Sequence, residues 1–217
     1  MQHERVDDIP MLLGLMQQMH LPEVLERSLG SHHLHQGIAN GLLTCGWLAF
    51  ILSEANHCKA SVQDWAQSHQ HTLETLLGQA LRSVEFSDDR LGIILRRFHD
   101  ADWAALETDL WQATFEVYEV PIHCVRLDST TSCGYHTIDP DGIMQLGHSK
   151  DHRPDLPQFK LMAAAAQPSG LLLATDIHAG NAADDPLYTL RGQDWHIPKG
   201  LKLMHQQARD LFLVFRV

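Results

Sequence analysis

The stretches LDSTTSCGYH (127–136), GHSKDHRPDLPQFKLMAAAAQPSGLLLATDIHAGN (147–181) and AADDP (182–186) decide how this chain is read. Asp128 closes the apolar run Ile122, Cys124, Val125 and Leu127, and three hydroxyl residues follow it. The run reads as a strand ending at Asp128, which presents an acid at the edge of a cleft. Residues 142–146 read as a short second strand entered through the turn Asp139-Pro140-Asp141-Gly142. Residues 159–166 and 171–178 read as an antiparallel hairpin across Pro168-Ser169-Gly170, although the alanines of the first arm also suit a helix. Asp184-Asp185-Pro186 reads as a helix start, with Leu187 and Leu190 on its apolar face. Residues 201–211 read as a short helix and 211–217 as a strand.

Upstream of Pro121 the period is helical. Val6, Ile9, Leu12, Leu13, Met16 and Met19 recur at three- and four-residue spacing. Pro22 opens a second helix that Gly30 closes. Residues 35–52 read as a buried helix in which Gly37, Gly41 and Gly46 allow another helix to approach closely, at some intrinsic cost. Ser61 suits the N-cap of a helix carrying Val62, Trp65 and Ala66, and Leu73, Leu76 and Leu77 extend the pattern. A further helix starts at Ser87 or Asp88, and another covers residues 103–118. The leucine and aromatic stripes read as core.

Composition narrows the function. A hydrophobic content of 44% can bury a core, and 217 residues hold one large domain or two small ones. No apolar run reaches membrane-spanning length, so no membrane partner is expected. The N-terminus lacks the apolar core of a signal peptide, and the cytoplasm is the expected location. Cys45, Cys58, Cys124 and Cys133 form no CxxC pair, so reduced thiols are expected, and the spacing of the histidines does not single out a zinc site. A net charge of −11 argues against a dedicated electrostatic DNA binder, though not against local basic patches. No GxSxG elbow and no phosphate-cradling glycine loop is present.

A strand-borne acid suits a hard divalent cation such as magnesium, which takes oxygen ligands alongside substrate phosphates. The competing reading of Asp128 is a turn acid bonded to the Ser-Thr-Thr that follows. In the loop 147–156, Lys150 and Arg153 suit phosphate contact, steered by Asp151 or Asp155. The alternative there is a solvated loop whose Asp and Arg pair with each other. Asp176 lies within a strand and faces either solvent or the cleft.

The segments LDSTT (127–131), GHSKDHRPDLPQFK (147–160), LMAAAAQPSGLLLATDIHAGN (161–181) and DDP (184–186) together resemble the DDE transposases of bacterial insertion sequences. The opening DDIPMLLGLMQQMHLPEVL (7–25) is similar to the same branch, in which a helical domain precedes a ribonuclease H-like core. The resemblance covers about residues 4 to 190. It implies an α+β chain: an all-helical domain over residues 1–118, then a partial ribonuclease H-like mixed sheet over 119–217. It also implies Asp128 as the first of three catalytic carboxylates and a metal ligand, with Mg2+ as cofactor. DNA, as transposon ends and target, is the implied substrate, and the helical domain is a place for end recognition or self-association into a homo-oligomer. The implied second acid on a later strand and the distant helical Glu have no counterpart: LFLVFRV (211–217) holds no acid, and Asp210 stands at its wrong end. The chain is therefore expected to be an N-terminal piece of a longer transposase, or such a piece joined to an unrelated tail after Arg191. In either form it is expected to be inactive by itself. A non-enzymatic remnant that binds DNA or dimerises, and so modulates a full-length copy, is the alternative.

Overall fold

The computed structural model describes residues 3–31, 36–119, 124–150 and 152–183, with the backbone of 212–213. The chain is mixed α+β with the helices first, and it divides into two compact units, Met1–Tyr118 and Glu119–Val217. Among the described residues the first unit holds α1 (Ile9–Gln18), α2 (Leu21–Leu29), α3 (Asn40–Glu54), α4 (Val62–Ser68), α5 (Gln70–Leu77), α6 (Asp88–Asp100) and α7 (Trp103–Tyr118). The second holds β1 (Cys124–Cys133), β2 (Gln158–Gln167), β3 (Leu172–Ala179) and the two-residue β4 (Phe212–Leu213). No helix among the described residues is long and apolar enough to cross a membrane.

The helical unit is organised around α3. Ile9 and Leu13 of α1, Val24 and Leu25 of α2, Leu73 of α5, Leu91 and Ile94 of α6 and Leu106 of α7 are buried with Leu43 and Phe50 of α3. Phe50 meets the Trp65 ring edge-on, with centroids 5.4 Å apart, as aromatic quadrupoles prefer. Gly41 lies where α2 and α3 come closest: a Cβ there would fall 2.0 Å from the Pro22 carbonyl oxygen. Glu26 of α2 accepts from the Gly41 N–H at 2.8 Å, satisfying one orphan donor of the α3 N-terminus. Arg97 of α6 donates to the Leu29 and Gly30 carbonyls at 2.6 and 2.8 Å and so closes the other end of α2.

Several local expectations change. The helix placed at 35–52 begins at Asn40, and residues 32–35 lie outside those described. Gly37 is not a helix-contact glycine: its φ of +103° belongs to a bend that other residues enter only with strain. Ser61 holds the N-cap position of α4 without capping it, because it closes a 3-10 turn (Lys59–Ser61) with φ −85° and ψ −12°. Its hydroxyl bonds the Cys58 sulfur instead and lowers that thiol's pKa. Ser87 caps α6 as expected, accepting from Arg90 N at 3.4 Å.

Glu4 ties the N-terminal segment to α5. Its carboxylate accepts from the His71 N–H at 2.9 Å and from the Thr72 N–H and hydroxyl at 2.8 Å. The Thr72 N–H, with the other donors, holds the Glu4 pKa below the usual carboxylate range. Its stabilising contribution is therefore present above the ordinary glutamate pKa and is lost as pH falls through the lowered one. Glu4→Gln is expected to lower the melting temperature at neutral pH and to flatten its fall in acid. Parallel melting curves against pH for the two proteins would refute this.

In the second unit β1, β2 and β3 form an antiparallel meander, and the sheet order is β3-β2-β1-β4. β1 pairs with β2 from Cys124↔Gln167 to Cys133↔Gln158, and β4 pairs only with Val125 and Arg126. The hairpin of β2 and β3 turns through Pro168–Gly170 as expected, with Phe159 opposite Ala179 and a bulge at Ala164/Ala165. β1 does not end at Asp128. The strand runs on through Ser-Thr-Thr-Ser to Cys133, because hydroxyl and β-branched side chains sustain an alternating strand after the apolar run stops. Residues 142–146 form no strand, only the bridge Gln145↔Gln158. The Gln145 amide folds back onto the Gly142 carbonyl at 2.8 Å, beside the turn closed from Gly142 N to Asp139 O at 2.9 Å. The helix read from Asp184-Asp185-Pro186 and the segments 201–211 and 211–217 lie outside the described residues, apart from β4.

Candidate functional site

Period-two alternation gives the sheet two faces of different chemistry. On β1, Val125, Leu127, Ser129 and Thr131 are buried, whereas Arg126, Asp128, Thr130 and Ser132 are exposed. Asp128 thus stands mid-strand on the open face, its side chain 63% exposed. Its Oδ1 accepts from the Ser129 N–H at 2.9 Å, and its Oδ2 lies 3.5 Å from the Arg126 guanidinium. The turn-acid reading does not hold, since residues 128–131 are all strand. Ala163 of β2 is the cross-strand neighbour of Asp128.

The buried face carries polar groups. Lys160 of β2 is opposite Thr131 of β1 and His178 of β3. Met162 is opposite Ser129 and Asp176. Asp176 Oδ2 and His178 Nε2 are 3.0 Å apart. Directly opposed residues share a face, so Asp176 belongs with Ser129 and lies on the other side of the sheet from Asp128. These two acids cannot ligate one ion.

The loop cations point elsewhere. Lys150 donates to the Ser129 carbonyl and, at 2.8 Å, to the Ser129 hydroxyl. It thereby fixes the β1 backbone at the residue after Asp128. Arg153 forms a fork on Asp155, with bonds of 2.9 and 2.8 Å. That pairing raises the Arg153 pKa and lowers that of Asp155. Asp151 lies outside the described residues. The sequence reading missed Arg126, although the alternation in VRLDSTTS (125–132) is the signal that sets it on the face of Asp128.

Among the described residues no three His, Cys, Asp or Glu side chains converge where they could hold a metal ion. Magnesium takes six oxygens and is commonly held by one or two carboxylates together with substrate phosphates. Asp128 contributes one carboxylate, so the described side chains do not by themselves build the expected two-ion site. Cys45, Cys58 and Cys133 are unbridged thiols, and burial pushes the Cys45 pKa up to about 12. Comparison of the chain with protein-family models, with curated proteins and with solved structures gives no match.

Proposed function

We propose that this chain derives from a DDE-type insertion-sequence transposase, with a ribonuclease H-like sheet in its second unit and Asp128 as the first catalytic carboxylate. The observation that carries the reading is the position of Asp128. It stands mid-strand on β1, paired there with β2, on the open face of an antiparallel meander, where a rigid element can hold one carboxylate against a phosphodiester. In such enzymes divalent metal ions would supply the electrophilic chemistry of water and 3′-hydroxyl attack. Asp128 would be one ligand for them. DNA is the substrate class, as element ends and as target.

Because Asp128 is the one carboxylate that the described residues bring to this site, and one cannot build a two-ion centre, the chain alone should bind element-end DNA without cutting it. End-labelled DNA incubated with the purified chain and magnesium or manganese tests this in one experiment. The expected result is a retained complex and no cleavage. Nicking of one strand, abolished by Asp128→Ala, would show a complete nuclease; failure to form any complex would remove DNA as the substrate.

That no second acid joins Asp128 among the described residues also favours a second reading, a non-enzymatic remnant that modulates a full-length transposase through DNA binding or dimerisation. Mixing the chain with an active full-length enzyme separates the two. Unchanged strand transfer in that mixture rules out the modulator.

A further inference from the structure

A pinned loop delivers Lys150 to β1. Gln158, fully buried at the start of β2, donates its amide to the His148 carbonyl at 2.9 Å and to the Gly180 carbonyl at 3.1 Å. Gly147 passes Gly180 so closely that a Cβ there would lie 2.2 Å from the Gly180 carbonyl oxygen. Ser149 is buried, and its hydroxyl accepts from the Arg153 N–H at 3.2 Å. Lys150 follows these three and meets Ser129.

Ser129 is held at both of its backbone groups. In an antiparallel ladder the N–H and C=O of one residue point to the same edge, and successive residues alternate between edges. The Gly134 N–H bonds the Pro157 carbonyl at 3.1 Å, which sets Ser132, Thr130 and Asp128 toward β2 and Ser129 toward the other edge of β1. Along that edge β4 pairs only with Val125 and Arg126. At Ser129 two side chains take the strand's place. The N–H donates to Asp128 Oδ1 at 2.9 Å, while the carbonyl and hydroxyl accept from the Lys150 ammonium. The other Asp128 oxygen lies 3.5 Å from the Arg126 guanidinium, a longer and weaker contact. An exposed aspartate can rotate among its staggered wells, and the charge-assisted bond from Ser129 N–H selects one of them. That selection lasts only while Ser129 keeps its direction.

We infer that Lys150 is a positioning residue for Asp128: its ammonium locks Ser129, and the Ser129 N–H in turn holds the carboxylate in one rotamer. This rests on the reading of Asp128 as the first catalytic carboxylate, and it assigns Lys150 to that carboxylate rather than to a phosphate.

The test is the Asp128 rotamer, read from the three-bond couplings of its Cγ to the backbone nitrogen and carbonyl carbon in the full, isotope-labelled chain without DNA or metal. The wild type should show the couplings of a single rotamer and a slowly exchanging Ser129 amide. Lys150→Met should average the couplings and speed that exchange several-fold. Lys150→Arg, which can donate to the same acceptors, should restore both. Arg153→Gln removes a charge from the same loop without touching Ser129 and should match the wild type. Averaged couplings in the wild type overturn the assignment, whether or not Lys150→Met folds. Wild-type couplings in Lys150→Met, or equal averaging in Arg153→Gln, overturn it as well. With element-end DNA, a slope of log K against log salt flattened by about 0.9 in Lys150→Met would mark a phosphate contact and also overturn it. None of these results bears on Asp128 as a catalytic acid, which stands or falls with the binding and cleavage assay.

Discussion

Gly41→Ala is expected to be among the most damaging single-methyl additions in this chain. The added Cβ would lie 2.0 Å from the Pro22 carbonyl oxygen, 2.9 Å from the Glu26 nitrogen and 3.0 Å from the Pro22 carbonyl carbon. These are backbone atoms of α2, so no rotamer change relieves the clash; α2 and α3 must separate. Separation also stretches the 2.8 Å bond from Gly41 N to Glu26 and loosens Val24 and Leu25 against α3. Overpacking costs typically 1–3 kcal/mol, and a clash against backbone belongs at the upper end, about 3 kcal/mol. Alanine's better helix propensity returns at most ~1 kcal/mol. A fall in melting temperature of roughly 10 °C is the expected readout. A variant as stable as the wild type would mean that α2 and α3 do not approach in this way.

Glu85→Ala is the second large effect. Glu85 is fully buried and lies 2.5 Å from the Arg82 Nε and 4.0 Å from the Arg90 Nε. Those arginines hold the chain on either side of Gly37: Arg82 donates to the Gln36 carbonyl, and Arg90 donates to that of Ile38 at 3.2 Å. Removing the carboxylate leaves Arg90, 14% exposed, without its nearest counter-charge. Breaking a buried pair costs 3–5 kcal/mol, and the half-exposed Arg82 places this case at about 3 kcal/mol. Glu85→Gln keeps the volume and should recover part of the loss. Equal melting temperatures for Glu85→Ala and the wild type would show that the cluster contributes nothing.

The helical unit was legible where capping chemistry is explicit. Pro22 and Gly30 bracket α2, Ser87 caps α6, and α7 occupies the residues read for it. The reading slipped where one residue has two local uses. Gly37 supports close packing or a left-handed bend, and the Arg82–Glu85–Arg90 cluster that selects the bend is invisible at a distance in sequence. Ser61 suits an N-cap, but a 3-10 turn directs its hydroxyl to Cys58. The hairpin of β2 and β3 was plain from its turn and arms. The C-terminal end of β1 was not, because the apolar run stops at Leu127 while the strand's alternation continues through Thr130 and Thr131.

At the site, the sequence singled out Asp128 but not its face. The alternation that buries Val125 and Leu127 forces Arg126 and Asp128 to the open side together and sends Asp176 to the other. The Arg153–Asp155 fork is the local Asp–Arg pair that the loop sequence offered as its alternative reading, whereas the partner of Lys150 depends on how the loop folds back over β1, which neighbouring residues do not specify. Lys150 serves the sheet: it satisfies a β1 carbonyl beyond the reach of the two-residue β4.

The most direct test of the central claim is the map of backbone amide shifts when a short element-end DNA is titrated into the ¹⁵N-labelled chain. The expected result is a set of perturbed amides on β1 around Asp128, strengthened in Asp128→Asn as the carboxylate's repulsion is lost. Perturbation confined to the helical unit, or spread over the sheet with no dependence on Asp128, would contradict it.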